Sequence, residues 1–250
     1  MGNDNANQLN LFDFFGFPDR QKRDEAIQIC DLNKLRLLLI KDNYLSHFDV
    51  YFEQYGVWSN HINNFSSHLW LHFLLMYYQY SQNALDTIDI VKFLSPESAH
   101  KIFFDTFAED VSLYLISYFD KHLEMFNDLY DLNLLSKNKH NLSRRMIINE
   151  MEKVEELKKL ANEYQLIEQS EPFQQILDIR NNFVHNKSLT YYGKEVIKIN
   201  RGIYASGNSS GISTKSTYNS VCVLLRNYEH LCAQINTFIK AKIEISSKKI

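Results

Sequence analysis

From Thr217 to about Ser246 the apolar residues Val221, Leu224, Leu225, Tyr228, Leu231, Ile235, Phe238 and Ile239 recur three and four apart. That period marks the buried face of one long α-helix. Such a helix is stabilised by packing its stripe against others, so the chain must supply further helices. Ser95-Pro96-Glu97-Ser98 places Pro at a first helical position and predicts a helix over 97–134. Asp19 is a candidate N-cap for a helix over 20–40, and Asn64 or Ser66 for one ending at Ser81, with 44–61 aromatic-rich and irregular. Residues 145–168 read as a charged helix, and Ser170-Glu171-Pro172 opens another that runs to His185 or Asn186. Only 7 Gly and 3 Pro occur in 250 residues, too few for the tight turns of a strand-rich fold. The expectation is an all-α fold, an up-down helical bundle with extra N-terminal helices. Residues 189–204 carry the one strand pattern, a candidate small β-hairpin, and 205–216 form the one flexible-looking connection. Residues 1–95 are expected as an N-terminal helical extension packed on a bundle over 96–250, the whole forming one compact unit.

The formal net charge of -3 gives no global basic field, which argues against a tight, non-specific nucleic-acid binder. The start of the chain lacks the basic and apolar regions of a secretion signal, and the expected location is cytoplasmic. The most apolar run, 69–80, is too short to span a bilayer and reads as a buried core helix. Cys30, Cys222 and Cys232 have no metal-type spacing and read as buried small hydrophobes. The aromatic cluster 11–17 is expected to dock on the body, since an exposed patch of that kind would be sticky. His68 and His72 are four apart but lack an intervening Glu and an obvious third ligand, so they read as ordinary satisfied histidines. No metal and no cofactor are expected.

One helix breaks the apolar pattern. Phe173, Ile176, Leu177, Phe183 and Val184 form a stripe, and Arg180 falls inside it. A guanidinium on a core-facing side is costly unless it has a partner. A structural acid such as Asp178 or Glu171 would satisfy it. A functional role would use the guanidinium to hold a phosphate. Asn181 and His185 lie four apart on another face, with Asp178 one turn earlier. His185 stands at the predicted helix end, where an imidazole can take and give a proton. On a regular helix a five-residue step turns about 140°, so Arg180 and His185 diverge. The site then needs the helix end, a second subunit, or both.

Arg180-Asn181-Asn182-Phe183-Val184-His185 resembles the signature of HEPN domains: an arginine, a polar residue, a short spacer, then histidine. The flanking residues, from Leu177 to Asn186, most resemble the Cthe_2314-like HEPN branch. The resemblance implies a dimerising helical bundle and a metal-independent endoribonuclease of toxin–antitoxin or phage-defence type. It implies that Arg180 and His185 are catalytic and that Asn181 supports them. It also implies that two copies of the motif form one composite site. Asp178, Asn182, Asn186 and Lys187 are the candidate substrate-binding residues around it. The expected partners are an RNA substrate, a second copy of the chain, and an antitoxin or defence-system protein. The alternative is a HEPN-like module that binds a nucleotide or a partner without catalysis.

Overall fold

The computed structural model describes residues 16–40, 50–86, 95–132, 143–185, 194–199, 203–208 and 213–247. Its helices are α1 (Arg20–Ile29), α2 (Val50–Ser81), α3 (Pro96–Leu129), α4 (Arg144–Lys153), α5 (Lys158–Gln169), α6 (Glu171–His185) and α7 (Thr214–Ser247). Two strands, β1 (Lys194–Ile199) and β2 (Ile203–Asn208), pair antiparallel with Lys194 opposite Asn208 and Ile199 opposite Ile203. The fold is an all-α bundle with a hairpin inserted between α6 and α7.

α3 is the axis of the bundle. It starts as its sequence predicts, with Pro96 in the first turn and the Ser95 side chain accepting from the Ser98 N–H. α2 packs along it, and α4, α6 and α7 pack on its remaining sides. Phe104, Ala108, Val111, Leu115, Ile116, Phe119, Leu123 and Phe126 are all buried there. One contiguous core runs from Ala26 in α1 to Ile239 in α7. The run 69–80 contributes Leu69, Phe73, Leu74 and Met76 to it, and all three cysteines are buried and free. Among the described residues, no helix is long and apolar enough to cross a membrane.

The predicted boundaries moved in several places. The helix expected over 20–40 ends at Ile29; a single 3-10 turn (Leu32–Leu35) and an extended segment follow. That segment lies between α2 and α7, and side chains from both satisfy its backbone. Asn63 accepts from Leu37 N at 2.7 Å and donates to Leu37 O at 2.9 Å. Asn236 accepts from Leu38 N at 2.6 Å and donates to Arg36 O at 2.9 Å. Glu229 accepts from Asp31 N at 2.8 Å. These bonds replace the helical ladder. They also explain why no helix starts at Asn64 or Ser66. Asn63 is committed to Leu37, Ser66 and Ser67 bond back to the Asn63 carbonyl, and α2 runs straight through from Val50.

The charged helix expected over 145–168 is broken at Val154, which is extended, and restarts through a 3-10 turn at Glu155–Leu157. An unbroken helix would have aimed Glu155 and Lys158 at the core after Met151; the break places Leu157 there instead. α3 ends at Leu129 rather than near 134, closing on Tyr130 and the left-handed Asp131. The hairpin lies later than 189–204, and β2 includes 205–208, which composition had marked as flexible. Pairing with β1 holds that Gly- and Ser-containing strand. Residues 189–193, 200–202 and 209–212 lie outside the described residues, as do 11–15 of the aromatic cluster. Of that cluster, Gly16 comes so close to the Tyr78 hydroxyl that a Cβ would sit 2.5 Å from it, while Phe17 is exposed.

Enclosing α3 traps polar groups. Lys101 and Asp105 are both fully buried, with Lys101 Nζ 2.5 Å from Asp105 Oδ1. Burial lowers the Lys101 pKa, and the Asp105 carboxylate opposes that shift. Replacing Asp105 alone with Leu is expected to cost about 3–5 kcal/mol, while the double change Lys101→Met/Asp105→Leu recovers most of it. Urea unfolding of the three proteins checks this; an undiminished loss in the double variant would contradict it.

His122 is fully buried, its ring edge-on to Tyr118 at 4.5 Å between centroids, and neither ring nitrogen has a hydrogen-bond partner among the described residues. Burial pushes its pKa down from 6.5 to about 3. The folded state therefore binds fewer protons than the unfolded chain below pH 6.5. The stability His122 allows is complete above the unfolded value and is lost as pH falls toward the folded value, by about 1.4 kcal/mol per pH unit. His122→Phe is expected to remove about 2 kcal/mol of the stability difference between pH 6.5 and pH 5. Urea titrations at the two pH values measure it.

Candidate functional site

α6 begins with a cap that the sequence predicts. Ser170 Oγ accepts from Phe173 N at 3.4 Å and donates to Ile167 O at 2.7 Å, which also closes α5. Pro172 lies in the first turn, where its missing N–H costs nothing. Phe173, Ile176 and Ile179 are buried; Leu177, Arg180, Asn181 and Phe183 are half-buried; Asp178, Asn182 and Val184 are exposed.

This corrects the stripe in two respects. Ile179 belongs to it, and Val184, 47% exposed, does not. At about 100° per residue, Arg180 projects within about 20° of Phe173, so it does point into the core sector. It is only half-buried because the core tapers there. Phe183, which projects between Ile176 and Ile179, is likewise only half-buried. The last turn of α6 leaves the packed interior.

Among the described residues the guanidinium of Arg180 makes one hydrogen bond, from Nη1 to Asn181 Oδ1 at 3.0 Å. Its Nε is buried without a partner among the described residues. Neither Asp178 nor Glu171 makes an ion pair with it. Among the described residues, no acid pairs with this arginine. The fork is oriented by a neutral amide and keeps donors for an acceptor that the chain's described residues do not supply. His185 is the last residue of α6, and its side chain lies outside the described residues, as do Asn186 and Lys187. The structure thus joins Arg180 to Asn181 and places Asp178 and Asn182 on the exposed side.

Three further groups hold α6 and its neighbours in place. Gln175 donates to Ser216 Oγ at 2.9 Å and accepts from Ser220 Oγ at 2.6 Å, tying α6 to the first turns of α7. Asp86 caps α7 from a distance. It accepts from Ser213 Oγ at 2.8 Å and from Lys215 N at 3.0 Å, and those bonds, the Lys215 N–H first, hold its pKa below the usual value. This cap starts α7 at Thr214, three residues earlier than expected. Arg144, in the first turn of α4, turns inward. Its Nη2 donates to Asp120 Oδ2 at 3.0 Å, and the guanidinium lies 5.6 Å from the Phe173 ring centre. Burial alone would lower its pKa; Asp120 overrides that, and the net shift is upward.

His72 donates through Nδ1 to the His68 carbonyl at 2.8 Å, and the His68 ring stacks on Tyr114. Among the described residues, no group of three or more His, Cys, Asp or Glu is placed to hold a metal ion.

No curated protein and no solved structure gives a significant match to the chain. Among protein families, the Cthe2314-like HEPN family matches residues 58–242, from within α2 to near the end of α7. That span covers well over half of the sequence and includes the whole of α3 and α6. With a helical bundle around α3 and the Arg180–Asn181 pair on α6, the chain belongs to the Cthe2314-like HEPN family.

Proposed function

We propose that this protein is a metal-independent endoribonuclease of HEPN type, a toxin or phage-defence effector acting in the cytoplasm. The observation that carries the reading is the state of Arg180: aimed into the core sector, held by Asn181, and with a buried Nε that has no partner among the described residues. A phosphodiester supplies the acceptor this guanidinium lacks. In the proposed reaction His185 takes the proton of an RNA 2′-hydroxyl. The 2′-oxygen attacks the adjacent phosphorus, the 5′-oxygen leaves with a proton, and a 2′,3′-cyclic phosphate remains. Arg180 neutralises charge on the phosphoryl oxygens as it develops. Asn181 fixes the guanidinium plane. Asp178, Asn182, Asn186 and Lys187 surround the scissile phosphate. Two copies of α6, brought together in a homodimer, complete the site, since Arg180 and His185 diverge on a regular helix.

One observation favours a second reading. With a formal net charge of -3, the protein has no broad attraction for polyanions. A non-catalytic module that binds a nucleotide or a partner protein, such as an antitoxin, would use the same residues.

The two readings separate in an RNA cleavage assay with metal chelated. The wild type is expected to cut, leaving cyclic phosphate ends. His185→Ala is expected to lose on the order of 10²–10⁴-fold in rate, and Arg180→Ala about 10²–10³-fold. Wild-type protein that does not cut, or variants that cut as well as wild type, would sink the nuclease reading. Nucleotide binding that Arg180→Ala abolishes, without any cutting, would establish the second.

A further inference from the structure

α2 buries one apolar face, and a half-exposed stripe of aromatic and histidine rings runs along the margin of that face. Its inner face buries Phe52, Tyr55, Ile62, Leu69, Phe73 and Met76 in the core. The stripe consists of Trp58, His61, Phe65, His68 and His72, spaced three, four, three and four residues apart. That is the a/d spacing by which one helix receives another. The rings form a continuous ladder. Trp58 and His61 are 6.1 Å apart, His61 and Phe65 6.4 Å, and Tyr114 of α3 meets Phe65 at 5.2 Å, His68 at 6.0 Å and His72 at 4.8 Å. His61 and His68 are exposed, and beside the ladder Val57 and Leu71 are 71% and 47% exposed.

Acids outnumber bases along this groove, although Asp110 lies 3.7 Å from His72 Nε2 and Asp128 accepts from Trp58 Nε1 at 2.9 Å. On the α3 edge stand Asp110, Glu124 and Asp128, the first two with 38% and 43% of their side chains exposed and the third exposed. One cation shows how the surface receives positive charge. Lys121 Nζ sits 6.0 Å above the Trp58 ring centre and 2.7 Å from Glu124. The phosphates of an RNA would face three carboxylates here.

We infer that the outer groove of α2 and α3 is the docking surface for an amphipathic helix of a partner protein, with an apolar seam and a Lys/Arg-rich flank. The seam packs into the ring ladder, and the basic flank runs along Asp110, Glu124 and Asp128. This surface is separate from Arg180 and does not depend on the chemistry proposed there.

The test uses the full chain and fluorescently labelled helical peptides read by anisotropy. One probe has a Leu/Ala seam flanked by Lys and Arg; a second has the same seam flanked by Glu; a third is oligouridine. The basic helix is expected to bind saturably, the acidic one at least about tenfold more weakly because like charges then face each other, and oligouridine not at all. His68→Glu decides between packing and mere charge. It adds a negative charge at an exposed position, so simple attraction would tighten binding, whereas a packed seam is expected to lose at least about tenfold. Asp110→Asn/Glu124→Gln/Asp128→Asn should erase the preference for the basic helix. The inference is overturned if no helix binds saturably, if both helices bind alike, or if His68→Glu binds as well as or better than wild type. Oligouridine binding in place of the helix would make RNA the occupant. A concentration-dependent dimer that His68→Glu abolishes would make it a second copy.

Discussion

Everything else in this structure follows from the enclosure of α3. A helix covered by α2, α4, α6 and α7 keeps one strip for water, along Asp110, Glu124 and Asp128. Every buried polar group on it must then find a partner inside or cost free energy. Ser112 returns its hydroxyl to the Ala108 carbonyl at 2.6 Å, and Lys101 and Asp105 neutralise each other one turn apart. Tyr118 donates to the Leu35 carbonyl in the segment threaded between α2 and α7. That segment fills the last flank of the bundle. Amide side chains from α2 and α7 supply the bonds that a helix would have made for itself, so tertiary contact decides its conformation.

Periodicity made the scaffold legible and context hid the joints. The α7 stripe, the Ser95–Pro96 start of α3 and the Ser170 cap of α6 are local patterns, and each produced the expected element. Residues 30–38 are the opposite case. Leu32, Leu35, Leu38 and Leu39 keep a helical spacing, but Asp31 caps a 3-10 turn, and Asn63 and Asn236 bind the chain beyond it. No local pattern announces a partner about 200 residues away. The Asp86 cap on α7 is hidden for the same reason: it lies over 120 residues before the helix it starts.

The candidate site divides along the same line. That Arg180 points into the core sector could be read from helical spacing alone. That it is only half-buried could not, because this depends on where the core of α3 and α7 stops beneath α6. Nor does the sequence reveal Gln175 as the tie to Ser216 and Ser220, since a half-exposed glutamine on a helix looks like surface. Arg144 shows the converse. Its sequence setting, beside Arg145 at a polar boundary, reads as solvent-facing, yet Asp120 and the Phe173 ring enclose it.

Arg144 and Arg180 make the physical contrast. Arg144 is a half-buried cation with a bidentate carboxylate and an aromatic face, so its desolvation is offset where it stands. Among the described residues Arg180 has a single bond to a neutral amide, and its Nε is buried without a partner. An unsatisfied buried donor costs about 1–3 kcal/mol. A Leu or Met at position 180 would suit the core sector better and leave nothing unsatisfied. In the proposed function a phosphodiester oxygen would supply the acceptor that the described residues do not, meeting planar N–H donors at the end of a helix that leaves the core.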